Sequence, residues 1–187
     1  MCVKTRATIM LAVLFVVIVQ SNAMADTDFL IESIQTTLHI PTDFQAGLIE
    51  DDDIIIIEIR DVDNDAIRYT ITYGYDESTK DYKDIKDMPK KLRQQLQAFY
   101  SDMIQGEEAV IEELFDGVPA LMAGGIGADN LHYALVVYYM NGFQMTVYAV
   151  KETGFTEYEL SNVLYFARDG LISIVNATRF DQESYEK

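Results

Sequence analysis

The sequence predicts an α+β domain: an antiparallel β-sheet of about six to seven strands covered by helices, in the order β-β-β-α-β-β-β-β-α. Three observations predict it. Several short segments alternate apolar and polar residues at period two, separated by turn-forming residues. Two other segments keep helical spacing and carry helix-start chemistry. Asp116-Gly117 and Asn141-Gly142 each sit between apolar runs, where a two-residue turn requires positive φ.

Residues 1–25 read as a cleaved signal peptide. Lys4 and Arg6 give a basic start, Ile9 to Val19 is unbroken apolar chain, and Ala23-Met24-Ala25 fits an A-x-A cleavage site. That apolar run is short of the about 20 residues a membrane span needs. The lone cysteine, Cys2, precedes it, so the exported chain holds no thiol and no disulfide. Export without disulfides points to a bacterial periplasm or the cell exterior. The expected division is the signal over 1–25, a single domain over 26–175 and a polar tail over 176–187.

Of the 14 basic residues, Lys4 and Arg6 fall in the signal; the remaining 12 face 31 acidic residues, a net −19. Such a surface repels nucleic acid and anionic lipid and favours cationic partners or plain solubility. Six of those 12 bases, Lys80, Lys83, Lys86, Lys90, Lys91 and Arg93, crowd into fourteen positions. They make a solvated face or a docking patch for an acidic partner.

The first strand is expected in "TTLHIPTDF", where Leu38 and Ile40 alternate and Pro41 confines it to an edge or an end. A second follows in "EDDDIIIIEIRD", β-branched throughout its centre. The third is "AIRYTITYG", with Ile67, Tyr69, Ile71 and Tyr73 on one buried face. Between the last two lie Asp61, Asp63 and Asp65, weak candidate metal ligands. A calcium loop of the EF-hand type needs glycine where the chain has Ala66, and a bidentate glutamate where it has Thr72. Val62-Asp63-Asn64-Asp65 is instead good turn chemistry, and the hairpin reading wins.

"DMPKKLRQQLQAFYSDMIQG" is the first helix. Asp87 is placed to cap it, Pro89 fits its first turn, Gly106 its end, and Leu92, Leu96, Phe99, Met103 and Ile104 form an apolar stripe. Two hairpins follow around the Asp-Gly and Asn-Gly turns, and "LHYALVVYYM" is apolar on both faces, as a central covered strand must be. The closing helix has a capping box in Thr156 and Glu159, a staple in Phe155 and Leu160, and an apolar series through Val163, Leu164, Ala167, Leu171 and Ile174.

In this order the chain resembles the PsbP-like fold and, within it, the DcrB-like exported proteins of bacteria. The resemblance rests on "LHIPTDF", "LRQQLQAF", "EELFDGVPAL", a strand pair ending in "VYAV", and "ELSNVLYFARDGLISI". It implies a non-catalytic module that docks a protein partner through its sheet and holds no cofactor. No cysteine follows the apolar run, so the resemblance does not extend to a lipid anchor.

Direct search for chemistry agrees with a binding role. The two histidines, His39 and His132, lie far apart, with no nucleophile beside either. Glu112 and Glu113 are strand neighbours pointing to opposite faces, so they do not converge as a glycosidase pair. "AGGIGADN" lacks the P-loop lysine and the G-x-G-x-x-G spacing and reads as a loop. The leading expectation is an exported, non-enzymatic binding module whose contact residues include Glu50, Asp51, Asp52, Asp53, Lys83, Lys86, Lys90, Lys91 and Arg93. One alternative is a periplasmic immunity or inhibitor protein that occludes a basic partner with Glu50 to Asp53. A second is a hydrolase working with carboxylates alone.

Overall fold

The computed structural model describes residues 26–32, 36–51, 54–105 and 108–176; the expected signal over 1–25 and the tail over 177–187 lie outside them. Its main sheet has seven antiparallel strands: β3 (Phe44–Asp51), β4 (Ile54–Asp61), β5 (Ile67–Tyr75), β6 (Val110–Glu113), β7 (Pro119–Ile126), β8 (His132–Met140) and β9 (Phe143–Lys151). They lie side by side as β3-β4-β5-β9-β8-β7-β6. Helix α1 (Lys90–Met103) connects β5 to β6, and α2 (Glu157–Asn176) follows β9. The main sheet therefore has the expected β-β-β-α-β-β-β-β-α order. The structure adds a separate ribbon of β1 (Thr27–Ile31) and β2 (Thr36–Ile40). Leu38 and Ile40 belong to this ribbon, and Phe44–Asp51 becomes an edge strand of the main sheet in its own right.

Period-two alternation fixes which side of each strand is buried. Ile55, Ile57 and Ile59 of β4, with Ile67, Tyr69, Ile71 and Tyr73 of β5, are 0–5% exposed. They pack with Met145, Val147 and Ala149 of β9 and with Val163, Phe166, Ala167 and Leu171 of α2. Ile31, Leu38 and Ile40 bring the ribbon into the same core. Phe44, Tyr69 and Phe166 meet edge-on and tilted at 5.2–5.8 Å between ring centroids, the geometry aromatic quadrupoles favour. A smaller core on the opposite sheet face joins Ile85, Met88, Tyr100 and Ile104 to Leu121, Leu135, Val137 and Tyr139. Residues 134–139 of β8 are buried without interruption because α2 covers one face and α1 the other.

The turns divide into two kinds. Asn141 (φ 49°) and Gly142 (φ 91°) make the expected two-residue turn, with Met140 paired to Phe143. Asp116-Gly117 does not: Glu113 pairs with Pro119, so the connection is longer, and Phe115–Gly117 forms a 3-10 turn closed by Leu114 N–H donating to Val118 O at 3.1 Å. The expected "AGGIGADN" loop is also shorter than read, since Gly124 and Gly125 continue β7 opposite Ala134 and Tyr133.

The expected stripe holds in part: Ile104 is buried and Leu92 and Leu96 pack against the core, but Tyr100 replaces Phe99 and Met103 on the inward face. Phe99 and Met103 are 60% and 46% exposed, whereas Tyr100 and Ile104 are buried. Both stripes fit a helical period, and the tertiary partner decides. The Tyr100 hydroxyl reaches Tyr139 at 3.4 Å and accepts from the Gln144 amide at 3.0 Å. Asp87 does not cap the helix; Pro89 occupies the cap position with no side-chain bond, and Asp87 Oδ2 accepts from Lys83 N–H at 3.3 Å instead. Gly106, expected at the helix end, lies outside the described residues. The capping box of α2 is present as read: Glu159 N–H donates to Thr156 Oγ1 at 3.3 Å and Thr156 N–H to Glu159 Oε2 at 2.7 Å.

Candidate functional site

The aspartate turn is a backbone device. Asp61 Oδ1 accepts from Asp63 N–H at 2.9 Å and Asn64 Oδ1 from Ala66 N–H at 3.2 Å, two Asx turns in succession between β4 and β5. Both flanks are strands, as the hairpin reading requires. Among the described residues, no group of three or more His, Cys, Asp or Glu side chains is placed to hold a metal ion.

Glu50 and Asp51 end β3 and pair with Ile55 and Ile54 of β4. Asp52 and Asp53 lie outside the described residues.

The basic run is divided in use. Lys80 pairs with Glu77 at 2.8 Å and Lys86 with Glu113 on β6. Lys83, Lys90 and Lys91 are exposed, and Arg93 is half-buried. Asp84 Oδ1 accepts from the backbone N–H groups of Lys86 and Asp87 at 2.8 and 3.2 Å, shaping the loop that carries these lysines. Lys86 acts as a clamp between loop and sheet edge.

Two open hollows mark the surface. One, of about 270 Å³, is lined by Ile54, Thr72, Tyr73, Gly74, Tyr75, Asp76 and Gln144. The other, of about 250 Å³, lies between the end of α1 and the β7–β8 turn, with Met103, Ile104, Gly127, Ala128, Asp129 and Tyr133. Each contains one carboxylate, and Asp129 is bonded to the Tyr133 hydroxyl at 2.7 Å. Neither hollow brings together the two carboxylates that glycoside hydrolysis uses.

A charge cluster joins the ribbon to α2. His39 Nδ1 lies 3.3 Å from Asp28 Oδ1 and its Nε2 3.5 Å from Asp26 Oδ2, while its backbone N–H donates to Asp169 Oδ2 at 2.7 Å. The Asp28 hydrogen bond, with Asp26 and Asp169 adding, holds the His39 pKa above its ordinary value against the opposing effect of burial. Burial holds the Asp169 carboxyl above the usual carboxylate range, although the His39 N–H and charge oppose it.

Helix α2 carries the feature that sequence reasoning missed. Its inward face is Val163, Phe166, Ala167 and Leu171, yet Tyr158, Leu160, Leu164, Tyr165 and Ile172 remain 37–56% exposed. Leu160 and Leu164 were expected on the core series. They start an i, i+4 ridge through Arg168 to Ile172, and the guanidinium of Arg168 stands 6.0 Å from the Phe115 ring centroid. Carboxylates border this ridge: Glu157 is exposed in its first turn, and Asp169 and Asp26, which precedes the ribbon, lie beside Tyr165. The available signal was a helix apolar around more than one face, which a surface helix covered on one side only does not need.

No protein-family model and no curated protein matches the chain. Among solved structures, the chain is similar to the solution structure of cyanobacterial PsbP (CyanoP) from Synechocystis sp. PCC 6803, at 13% identity and a TM-score of 0.49, with 81% of this chain and 93% of that chain covered.

Proposed function

We propose that this protein is an exported, non-catalytic binding module of the PsbP/DcrB-like kind, and that the outer face of α2 is its docking surface for a basic, apolar segment of another protein. The exposed ridge of Leu160, Leu164 and Ile172 beside Tyr158 and Tyr165 carries the reading. Isolated surface apolar residues need no explanation, but five on one helix, set around Arg168, mark an interaction site.

Magnitudes select the partner's charge. Full burial of such a side chain is worth about 1.5–3 kcal/mol, so the exposed two-fifths or so of each contributes roughly 1 kcal/mol. Five of them give about 5 kcal/mol, at the low end of the 4–15 kcal/mol that association costs. Apolar contact alone therefore does not hold a partner. Attraction to the bordering carboxylates must add to it, which calls for cations on the docking segment.

Fluorescence anisotropy with two labelled amphipathic peptides tests this, one built from Leu and Lys and one from Leu and Glu. The Leu/Lys helix should bind and weaken as salt rises, and Leu164→Ser and Tyr165→Ser should each loosen it several-fold. Equal binding to wild type and both variants would mean that the acidic surface at large, not α2, attracts the peptide.

A further inference from the structure

On the sheet face away from α2, the smaller core under α1 takes in Leu121, Leu135, Val137 and Tyr139, while Ile54, Arg60 and Arg68 of β4 and β5 are exposed. Period-two alternation turns Ile54, Ile56, Glu58 and Arg60 of β4 to this side, since Ile55, Ile57 and Ile59 face the core. On β5 it likewise turns Arg68, Thr70 and Thr72 to this face, where Arg68 is exposed and Thr70 is buried. The register sets Arg60 directly opposite Arg68. Facing side chains on neighbouring antiparallel strands start only about 5 Å apart, and like charges there are destabilising.

The rest of the surface makes this pairing harder to dismiss as packing. The chain has more than twice as many acids as bases, 31 against 14, yet two of its arginines face each other. Arg60 meets Glu58 on its own strand at 3.4 Å through one nitrogen, with both groups partly in water. Arg68 is exposed, and no carboxylate among the described residues pairs with it. Among the described residues no ion pair joins the Asp61–Asp65 turn to either guanidinium, and Asp61 is held by Asp63 N–H. Other donors border the pair. Gln45 is opposite Arg60 on β3, and Tyr148 sits on β9 opposite Thr70, one step along from Arg68.

We propose that Arg60 and Arg68 form a binding site for a phosphate group, free or as a monoester. Two planar forks on adjacent strands present paired N–H donors to one tetrahedral dianion, whose charge of about −2 cancels both. A single carboxylate would neutralise only one. The site is independent of the α2 surface, and its affinity is modest because Glu58 and the aspartate turn stand close by.

Melting temperature of the purified protein in phosphate, against chloride at equal ionic strength, separates specific binding from screening. Phosphate well above its dissociation constant should raise the Tm by several degrees beyond chloride, and Arg60→Gln and Arg68→Gln should each abolish the excess. Glycerol phosphate, run in parallel, tells a monoester site from one that takes free phosphate only. Arg68→Glu gives an opposite readout: with an acid facing Arg60 it should melt above wild type without phosphate and ignore phosphate altogether. A phosphate effect equal to that of chloride, or one that survives in Arg68→Gln, overturns the proposal. So does an Arg68→Glu protein less stable than wild type without phosphate, since the pair would then be structural.

Discussion

The ammonium of Lys151, at the end of β9, donates a 2.6 Å hydrogen bond to Oε1 of Glu159 in the first turn of α2. The other oxygen of the same carboxylate accepts from Thr156 N–H. One side chain thus caps its helix and ties it to the sheet. Burial alone would raise the Glu159 pKa, but Lys151 and Thr156 outweigh it and hold it below the usual value.

Replacing Glu159 by alanine should therefore cost about 2–4 kcal/mol, because it removes a cap and strands a mostly buried cation. At about 2–4 °C per kcal/mol, calorimetry should register a clear fall in Tm. The pH dependence has a fixed sign. A lowered folded-state pKa gives stability that is present above 4.5 and lost as pH falls through the depressed value. Glu159→Gln should flatten that acid limb.

His39 works in the opposite direction. Its folded-state pKa is raised above 6.5, so its contribution is full below 6.5 and lost as pH rises through the raised value. Wild type should lose a small part of its Tm over that interval, and His39→Gln should lose none of it. The effect is small because the ring is 40% exposed. Identical pH profiles for the two proteins would show that Asp26 and Asp28 do not hold the ring in solution.

Tyr138 is 1% exposed and its hydroxyl has no hydrogen-bond partner among the described residues, while burial pushes its pKa far upward. Tyr138→Phe should leave stability unchanged or raise it by up to about 1 kcal/mol, since it removes an unsatisfied polar group. Tyr73 is the control. Its hydroxyl lies 3.1 Å from that of Ser173, and Tyr73→Phe should cost about 0.5–1.5 kcal/mol. Denaturant titration distinguishes the two signs.

Calcium should leave the fold indifferent. A tight site in the Asp61–Asp65 turn, at a hundredfold excess over its Kd, would add about 2.7 kcal/mol and several degrees of Tm. Since Asp61 and Asn64 each turn an oxygen to a backbone N–H and no three carboxylates among the described residues converge, millimolar calcium should do no more than magnesium. A calcium-selective rise that Asp63→Asn removes would contradict this.

Elements whose signals are local could be read from the chain. Thr156 and Glu159, Asn141-Gly142 and the alternation of Ile67 to Tyr73 specify their own conformation within a few residues, and each stands as expected. What depends on a distant partner was not legible. Phe99 and Tyr100 both fit a helix stripe, and only Tyr139 and Gln144 make Tyr100 the inward one. Strand β3 contains Gly47 and alternates poorly, and its pairing with β4 rather than its own residues makes it a strand. The outer face of α2 escaped for the same reason. Leu160 and Leu164 follow helical period as well as Val163 and Ala167 do, and only packing on the sheet makes the latter pair the buried one.

The strand order implies how the sheet assembles. β3-β4-β5 and β6-β7-β8-β9 are two meanders, each made by short local connections, and they meet only where Ile67–Tyr75 zips against Phe143–Lys151. Hairpins form in microseconds, but this seam joins segments far apart in the chain, and such non-local pairing slows folding. Helix α2 then lies across the seam, packing on Tyr69 and Ile71 from one side and Met145 and Val147 from the other. Neither meander can bury its share of the core until the seam has closed and α2 has docked. The amides of β5 and β9 should accordingly be the last to exchange with solvent, marking the line along which two half-sheets become one cooperative unit.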